Sequence, residues 1–194
     1  MRARLQQAGD AAVAALVRWT FALLRRLDPD TASNLGGRVA RLLGPLTPVH
    51  RVALDNIRHA FPDLPAAEHR RIAREAWDNL GRTACEYVHM DRLWDFDPDR
   101  PGQGRIEVAP EAMARYLALR DDGRPALLFA AHLANWELPA VAAARHGLPS
   151  AVLYRTPNNP RVAAEILALR AAMMGRLIAA SPTAPVRMLE ALGI

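Results

Sequence analysis

The stretch 126–154, "ALLFAAHLANWELPAVAAARHGLPSAVLY", determines the fold class that we expect. It begins with a continuous apolar run, Ala126–Ala131, which is typical of a strand buried on both faces. A helical pattern over Asn135–His146 stops at Gly147, and a second strand is predicted at Ala151–Tyr154. Strands that alternate with helices through short connections indicate an α/β fold with a mostly parallel sheet flanked by helices.

The same alternation continues before and after this stretch. The further predicted elements are two strands, Ile106–Val108 and Leu177–Ala180, and two helices, Pro110–Arg120 and Pro160–Met174. The last residues, "TAPVRMLEALGI", have the pattern of a helix that begins and is then cut off. We therefore expect the sheet to be incomplete in this chain.

The first 95 residues have a helical pattern throughout. Leu35–Leu43 is apolar at helical spacing, and the dipeptide Gly44-Pro45 is a stop signal. The charged stretch 95–105, "DFDPDRPGQGR", is rich in proline and glycine, which indicates a loop. We predict an N-terminal helical region, 1–95, and a partial α/β domain, 106–194.

Composition and charge limit the classes of partner. The chain has 194 residues, is 51% hydrophobic and carries a formal net charge of +5. A basic surface suits anionic partners such as anionic lipid, phosphorylated substrates or an acidic carrier protein. Aromatic residues make up only 6% of the chain, and no RNA-binding signature is present, so we expect no nucleic-acid partner.

The single cysteine, Cys85, cannot form an internal disulfide. Its place on an apolar helix face predicts a buried thiol rather than a catalytic one. The histidines and carboxylates show no spacing typical of a metal site, and we expect no metal.

The N-terminal pattern predicts a basic amphipathic helix. Its apolar runs, Ala11–Val17 and Trp19–Leu24, fall short of the ~20 residues that a spanning helix needs. Such a helix can lie in the membrane interface, where arginines meet anionic headgroups; the alternative is a helix packed on the protein's own core. The arginines on or near its polar side are Arg2, Arg4, Arg18, Arg25 and Arg26.

His132 directly follows the predicted strand Ala126–Ala131, and Glu137 comes next with four residues between them. In open α/β sheets, ligands bind beyond the carboxyl ends of the strands. A histidine before the helix and a carboxylate in its first turns can form a general-base pair, which would deprotonate an incoming hydroxyl. The alternative is a capping histidine with a glutamate favoured by the helix dipole.

The segment "HLANWE" (132–137) resembles the His-x4-Asp/Glu motif of the bacterial lipid A biosynthesis (lauroyl/myristoyl) acyltransferases, part of the lysophospholipid acyltransferase-like group. Residues 54–93, "LDNIRHAFPDLPAAEHRRIAREAWDNLGRTACEYVHMDRL", resemble the family's helical region. Residues 123–181 resemble its catalytic block. The resemblance implies a glycerolipid acyltransferase-like fold.

The resemblance also implies the reaction: transfer of an acyl chain from acyl carrier protein to a hydroxyl of a lipid A precursor. His132 would be the general base and Glu137 would orient it. The carrier thioester would be the donor, with no other cofactor, at the cytoplasmic face of the inner membrane.

Two arginines are candidates for oxyanion or phosphate binding. Arg155 follows the second predicted strand, at the same rim as His132. Arg170 matches the arginine that follows in the family pattern. The alternatives are a solvated loop charge for Arg155 and an exposed helix residue for Arg170.

Three further residues are expected to support the site. Asn135 would cap the helix or hold the loop, and Trp136 would pack in the core or line the acyl slot. Tyr154 ends the second predicted strand.

Chains of this family usually continue through further strands that are absent here, so we interpret the chain as C-terminally truncated. Two alternatives stay open. The acceptor would be another glycolipid, phospholipid or aminolipid, or the chain would be an inactive membrane-associated remnant.

Overall fold

The computed structural model describes residues 2–97, 99–100 and 102–193, with side chains from residue 6 onward. In these residues, helices and short 3₁₀ turns account for 63% of the chain length, and two strands form a small parallel sheet. The predicted fold class, an α/β fold with flanking helices, is confirmed. The side chains of Arg2 and Arg4, expected on the polar side of the first helix, lie outside the described ones.

The helices of the described residues are α1 (Arg2–Leu24), α2 (Pro29–Leu43), α3 (Val49–Ala60), α4 (Ala66–Glu86), α5 (Met90–Leu93), α6 (Pro110–Asp121), α7 (Leu138–Arg145), α8 (Pro160–Ala171) and α9 (Ala184–Leu192). The strands are β1 (Ala151–Tyr154) and β2 (Arg176–Ala179). Short 3₁₀ turns follow α2 and α4, at Gly44–Leu46 and Tyr87–His89.

The chain divides into two compact units. The sheet unit comprises Met1–Ala22, Met90–Ala131 and Trp136–Ile194, and the helical unit comprises Leu23–His89 and His132–Asn135. The division that the sequence suggests, at the loop 95–105, stays a prediction.

In the helical unit, α2 packs against α4 through small residues. The buried positions of α2 are Pro29, Ala32, Ser33, Gly36 and Gly37. A Cβ atom added to Gly36 would lie 2.3 Å from the carbonyl oxygen of Gly81 on α4. The two helix backbones are therefore in direct contact, which any larger residue at Gly36 would prevent.

Side-chain hydrogen bonds cap the start of α2 and connect α4 to α3. The carboxylate of Asp28 accepts a hydrogen bond of 2.9 Å from the backbone N–H of Thr31, at the start of α2. Hydrogen bonding by the side chain of Thr31, and then by its backbone N–H, lowers the pKa of Asp28. The indole of Trp77 on α4 lies 3.1 Å from Nδ1 of His50, which joins α4 to α3.

In the sheet unit, β1 and β2 run parallel, with Val152 opposite Leu177. The helix α8 connects them, as parallel strands require a crossover. The buried centre of this unit is formed by Met90, Val141 and Met174. Both predicted strands, at 151–154 and 177–180, are confirmed, the second with a shift of one residue.

The expected strand at Ala126–Ala131 is wrong. These residues are irregular and exposed, and Phe129 is 93% accessible to solvent. The apolar run indicates burial, but a strand also needs a hydrogen-bonded neighbour. Among the described residues, β1 and β2 pair only with each other. The expected strand at Ile106–Val108 is irregular for the same reason.

The predicted helices after residue 106 are present as α6, α7 and α8, with shifted ends. The helix α7 begins at Leu138, three residues later than expected, which leaves Glu137 as its N-cap residue. The stretch expected to be an interrupted helix forms α9. This helix ends at Leu192, and its C-cap residue Gly193 has a φ of 73°, in the left-handed region that stops helices.

The N-terminal helix α1 has exposed apolar side chains, and arginines in it and just after it bind other groups of the protein. Trp19 is exposed, and Arg18 forms an ion pair of 3.2 Å with Glu165 on α8. Arg25, just after α1, donates to the carbonyl of Val88. Among the described residues, no helix is both long and apolar enough to cross a bilayer. The interfacial location of α1 stays a prediction.

Candidate active site

The candidate site in the sheet unit is formed where β1, α7 and α8 meet. Asn159 caps α8, because its side-chain oxygen accepts from the backbone N–H groups of Arg161 and Val162, at 3.0 and 3.2 Å. With Pro160 at the first helical position, this cap fixes where α8 starts. The helix then carries Arg170 in its last turn.

Glu137 is the centre of this site. Its side chain is only 3% exposed. Its Oε2 accepts a hydrogen bond of 3.0 Å from Nε of Arg170, and its Oε1 accepts another from Nη2 of the same arginine. The indole N–H of Trp136 donates to Oε1 at 3.1 Å. The carboxylate is therefore held by a bidentate guanidinium and an indole, which fixes its orientation.

Arg170 joins three elements of the sheet unit. Its guanidinium carbon lies 5.7 Å from the centre of the Tyr154 ring, within the range of a cation–π contact. Tyr154 ends β1, Arg170 lies in the last turn of α8, and Glu137 precedes α7. The side chain of Arg170 is 13% exposed, so the alternative of an exposed helix residue does not describe it. Its predicted role with oxyanion or phosphate stays a prediction.

Arg155 follows β1 directly, but its described hydrogen bond is not to Glu137, Arg170 or Tyr154. Its guanidinium donates to the side-chain oxygen of Asn158 at 3.2 Å, in the turn before α8. The residue is exposed. Both expectations for Arg155, a phosphate-binding group and a solvated loop charge, are compatible with this position.

His132 and Asn135 belong to the helical unit, where they form part of the segment 132–135. His132 is exposed and lies in a bend. The side-chain amide of Asn135 donates to Oε2 of Glu86 at 2.7 Å, and the hydroxyl of Thr83 donates to the carbonyl of Ala134 at 3.3 Å. The segment is therefore held against the last turns of α4. The pairing of His132 with Glu137 stays a prediction.

Glu86 is a residue that the sequence did not single out. Its second carboxylate oxygen accepts a hydrogen bond of 2.7 Å from the hydroxyl of Ser33 on α2. Glu86 thus connects α2, α4 and the segment that contains His132. Its position in "TACEY", at the end of an amphipathic helix, gives no motif by which it could have been found.

His146 is surrounded by aromatic rings. Nε1 of Trp94 lies 2.8 Å from Nε2 of His146. The rings of Trp94, Phe96 and Tyr116 lie edge-on to it, or nearly so, with centroids 5.7, 6.0 and 6.2 Å away. Such a histidine serves packing. In the part of the chain that the structure describes, no three histidine, cysteine, aspartate or glutamate side chains form a group that could hold a metal ion.

Residues 5–191 match the family described as "Bacterial lipid A biosynthesis acyltransferase". The match covers nearly the whole chain, so it includes both the helical and the sheet unit. Comparison with curated proteins found no match, and comparison with solved structures found none either. The resemblance seen in the sequence is confirmed. The chain therefore belongs to the family of bacterial lipid A biosynthesis acyltransferases.

Proposed function

We propose that the protein transfers a fatty acyl chain from acyl carrier protein to a hydroxyl group of a lipid A precursor. Family membership supports an acyltransferase that acts on a lipid acceptor. The donor, the exact acceptor and the roles of single residues belong to the proposal. The observation that carries it is the buried carboxylate of Glu137, held by Arg170 and Trp136.

In the proposed reaction, His132 removes the proton from the acceptor hydroxyl as that oxygen attacks the thioester carbonyl carbon. The resulting tetrahedral intermediate collapses, which forms the ester bond and breaks the carbon–sulfur bond. The thiolate of the carrier then receives the proton from the imidazolium. Charge on the intermediate's oxygen requires a positive or hydrogen-bonding group, and Arg155 and Arg170 are our candidates.

Glu137 orients the imidazole of His132 in this proposal. A carboxylate accepts about four hydrogen bonds in all, so binding to Arg170 and Trp136 is compatible with an imidazole N–H as a further donor. Arg170 compensates much of the negative charge of Glu137. We infer that the main effect of this carboxylate on His132 is to fix the tautomer and direction of the ring.

The remaining site residues support His132, Glu137 and Arg170. Asn135, bonded to Glu86, holds the segment that contains His132. Tyr154 positions Arg170 through its ring face. Trp136 fixes one oxygen of Glu137 through its indole N–H.

The proposed setting is the cytoplasmic face of the inner membrane, with the carrier thioester as acyl donor and no cofactor. The net charge of +5 suits an acidic carrier protein and anionic lipid. The exposed Trp19 on α1 supports contact of this helix with the membrane interface.

The test is acyl transfer by the purified chain from labelled acyl carrier protein to a panel of acceptors. We expect H132A to lose transfer by a factor of about 10²–10⁴, the usual contribution of a general base. His59, an exposed histidine on α3, provides the matched control H59A, which should retain activity.

Three other outcomes would contradict parts of the proposal. If H132A transfers acyl chains as well as the parent, His132 is not the base. If only a glycerophospholipid or an aminolipid is acylated, the acceptor is wrong but the reaction class stands. If the folded parent acylates none of the acceptors, the inactive remnant is the better description.

A further inference from the structure

The outward face of α2 contains the large apolar side chains of this helix. Leu35, Val39 and Leu42 recur four and three residues apart, which places them on one side of the helix. All three are exposed, Leu42 to 73%. Because the side of α2 that packs on α4 consists of small residues, the apolar bulk of α2 faces solvent.

The apolar surface continues into the 3₁₀ turn after α2. Leu46 in this turn is 80% exposed. We call Leu35, Val39, Leu42 and Leu46 the apolar ridge. A row of exposed leucines and a valine is unusual on a soluble surface and marks a place of contact with another apolar body.

A basic groove lies beside the apolar ridge. It is open, has a volume of about 410 Å³ and is lined by Arg38, Arg41, Leu42, Pro45 and Arg74. Leu42 belongs to both the groove and the ridge, so the two surfaces are continuous. Among the described residues, none of the three guanidinium groups forms an ion pair. We call Arg38, Arg41 and Arg74 the groove arginines.

We propose that the apolar ridge and the groove arginines form a docking surface for an anionic phospholipid bilayer. The leucines would enter the boundary between headgroups and acyl chains, and the arginines would bind headgroup phosphates. Guanidinium groups suit this task, because they bind phosphate through two parallel hydrogen bonds.

Charge selects this occupant over a second copy of the chain. A symmetric dimer formed through this surface would bring two sets of groove arginines together, which like charges disfavour. An anionic bilayer complements both parts of this surface, because it offers negative charge to the groove arginines and an apolar phase to the apolar ridge. The inference rests on the proposed membrane location and adds a second contact, on the helical unit, to the one proposed for α1.

The charge component is tested by sedimentation of the full chain with vesicles of phosphatidylcholine and phosphatidylglycerol in equal amounts. Each arginine near an anionic surface strengthens binding about fivefold, so R38Q/R41Q/R74Q should weaken it on the order of a hundredfold. The control R115Q/R161Q/R187Q removes the same charge from exposed positions in the sheet unit and should bind nearly as the parent does. Added salt should reduce the difference between the two variants.

Contact itself is tested with a fluorescent label at the ridge. In a C85S background, an environment-sensitive dye is attached to L46C, or to L117C on α6 as the matched control. With the anionic vesicles, the dye at position 46 should shift to the blue and become protected from iodide. The dye at position 117 should stay accessible. Circular dichroism of each variant establishes that the helices are intact.

Each other result overturns the proposal in a distinct way. If the chain sediments with vesicles while the dye at position 46 stays accessible, the docking surface is wrong and the membrane location stands. If the chain does not bind vesicles at all, both fail. If the dye responds to protein concentration or to added acyl carrier protein instead of vesicles, the surface binds a protein.

Discussion

Replacing Arg170 with methionine tests whether the carboxylate of Glu137 depends on its guanidinium partner. The variant R170M keeps an unbranched apolar side chain but leaves a carboxylate that is only 3% exposed without its main donor. At an effective dielectric constant of about 20, two unit charges at the observed 3.0 Å attract by ~5.5 kcal/mol. Removing one partner of a buried ion pair typically costs ~3–5 kcal/mol.

We therefore expect R170M to lower the free energy of unfolding by ~3–5 kcal/mol. Urea unfolding followed by far-UV circular dichroism measures this loss, and a slope of ~2 kcal/mol per molar urea would shift the midpoint by ~2 M. The matched control is R82M, which removes the ion pair of Arg82 with Asp78 on α4. That pair is more exposed, so its loss should cost ~1 kcal/mol or less.

A second substitution separates the unpaired charge from lost packing. The double variant E137Q/R170M carries neither charge, so we expect it to be ~2 kcal/mol more stable than R170M alone. The reasoning is refuted if R170M is no more damaging than R82M. It is also refuted if the double variant is less stable than R170M.

Two further predictions concern the helical unit. The variant G36A should lower the thermal midpoint by several degrees, because its Cβ would lie 2.3 Å from the Gly81 oxygen and would force α2 from α4; the control G9A, with nothing within 4 Å of the added atom, should leave it unchanged or raise it. An unchanged midpoint in G36A would mean that the backbones are not in contact. Burial raises the pKa of the Cys85 thiol, so its reaction with iodoacetamide at pH 8 should be slower in the folded chain than in urea. Equal rates in the two states would contradict its burial.

Some elements could be predicted from the sequence because their local pattern and their partners agree. The strand Ala151–Tyr154 is one, since β2 lies beside it in the sheet. The run Ala126–Ala131 has an equally apolar pattern, but a strand depends on a neighbour that no local pattern can specify. The strand expected at 126–131 is wrong because, among the described residues, it has no such neighbour.

The sequence named four residues that lie together in the structure, but it did not indicate their contacts. Trp136, Glu137, Tyr154 and Arg170 were all expected to serve one site, and the structure brings them together. The bond between Glu137 and Arg170 spans 33 residues of sequence, so helical spacing gives no indication of it. Glu86 was missed for the same reason, since its partners lie on α2 and in the segment 132–135.

The two oxygens of Glu86 have a mechanical consequence. One accepts from Ser33 on α2 and the other from Asn135, which is three residues from His132. A displacement of α2 along α4 must therefore break one of these bonds or pull the segment 132–135 with it. The helical unit thus contains a tether that ties the position of a distant helix to the backbone that presents the proposed base. Any force applied to α2 is shared by that backbone.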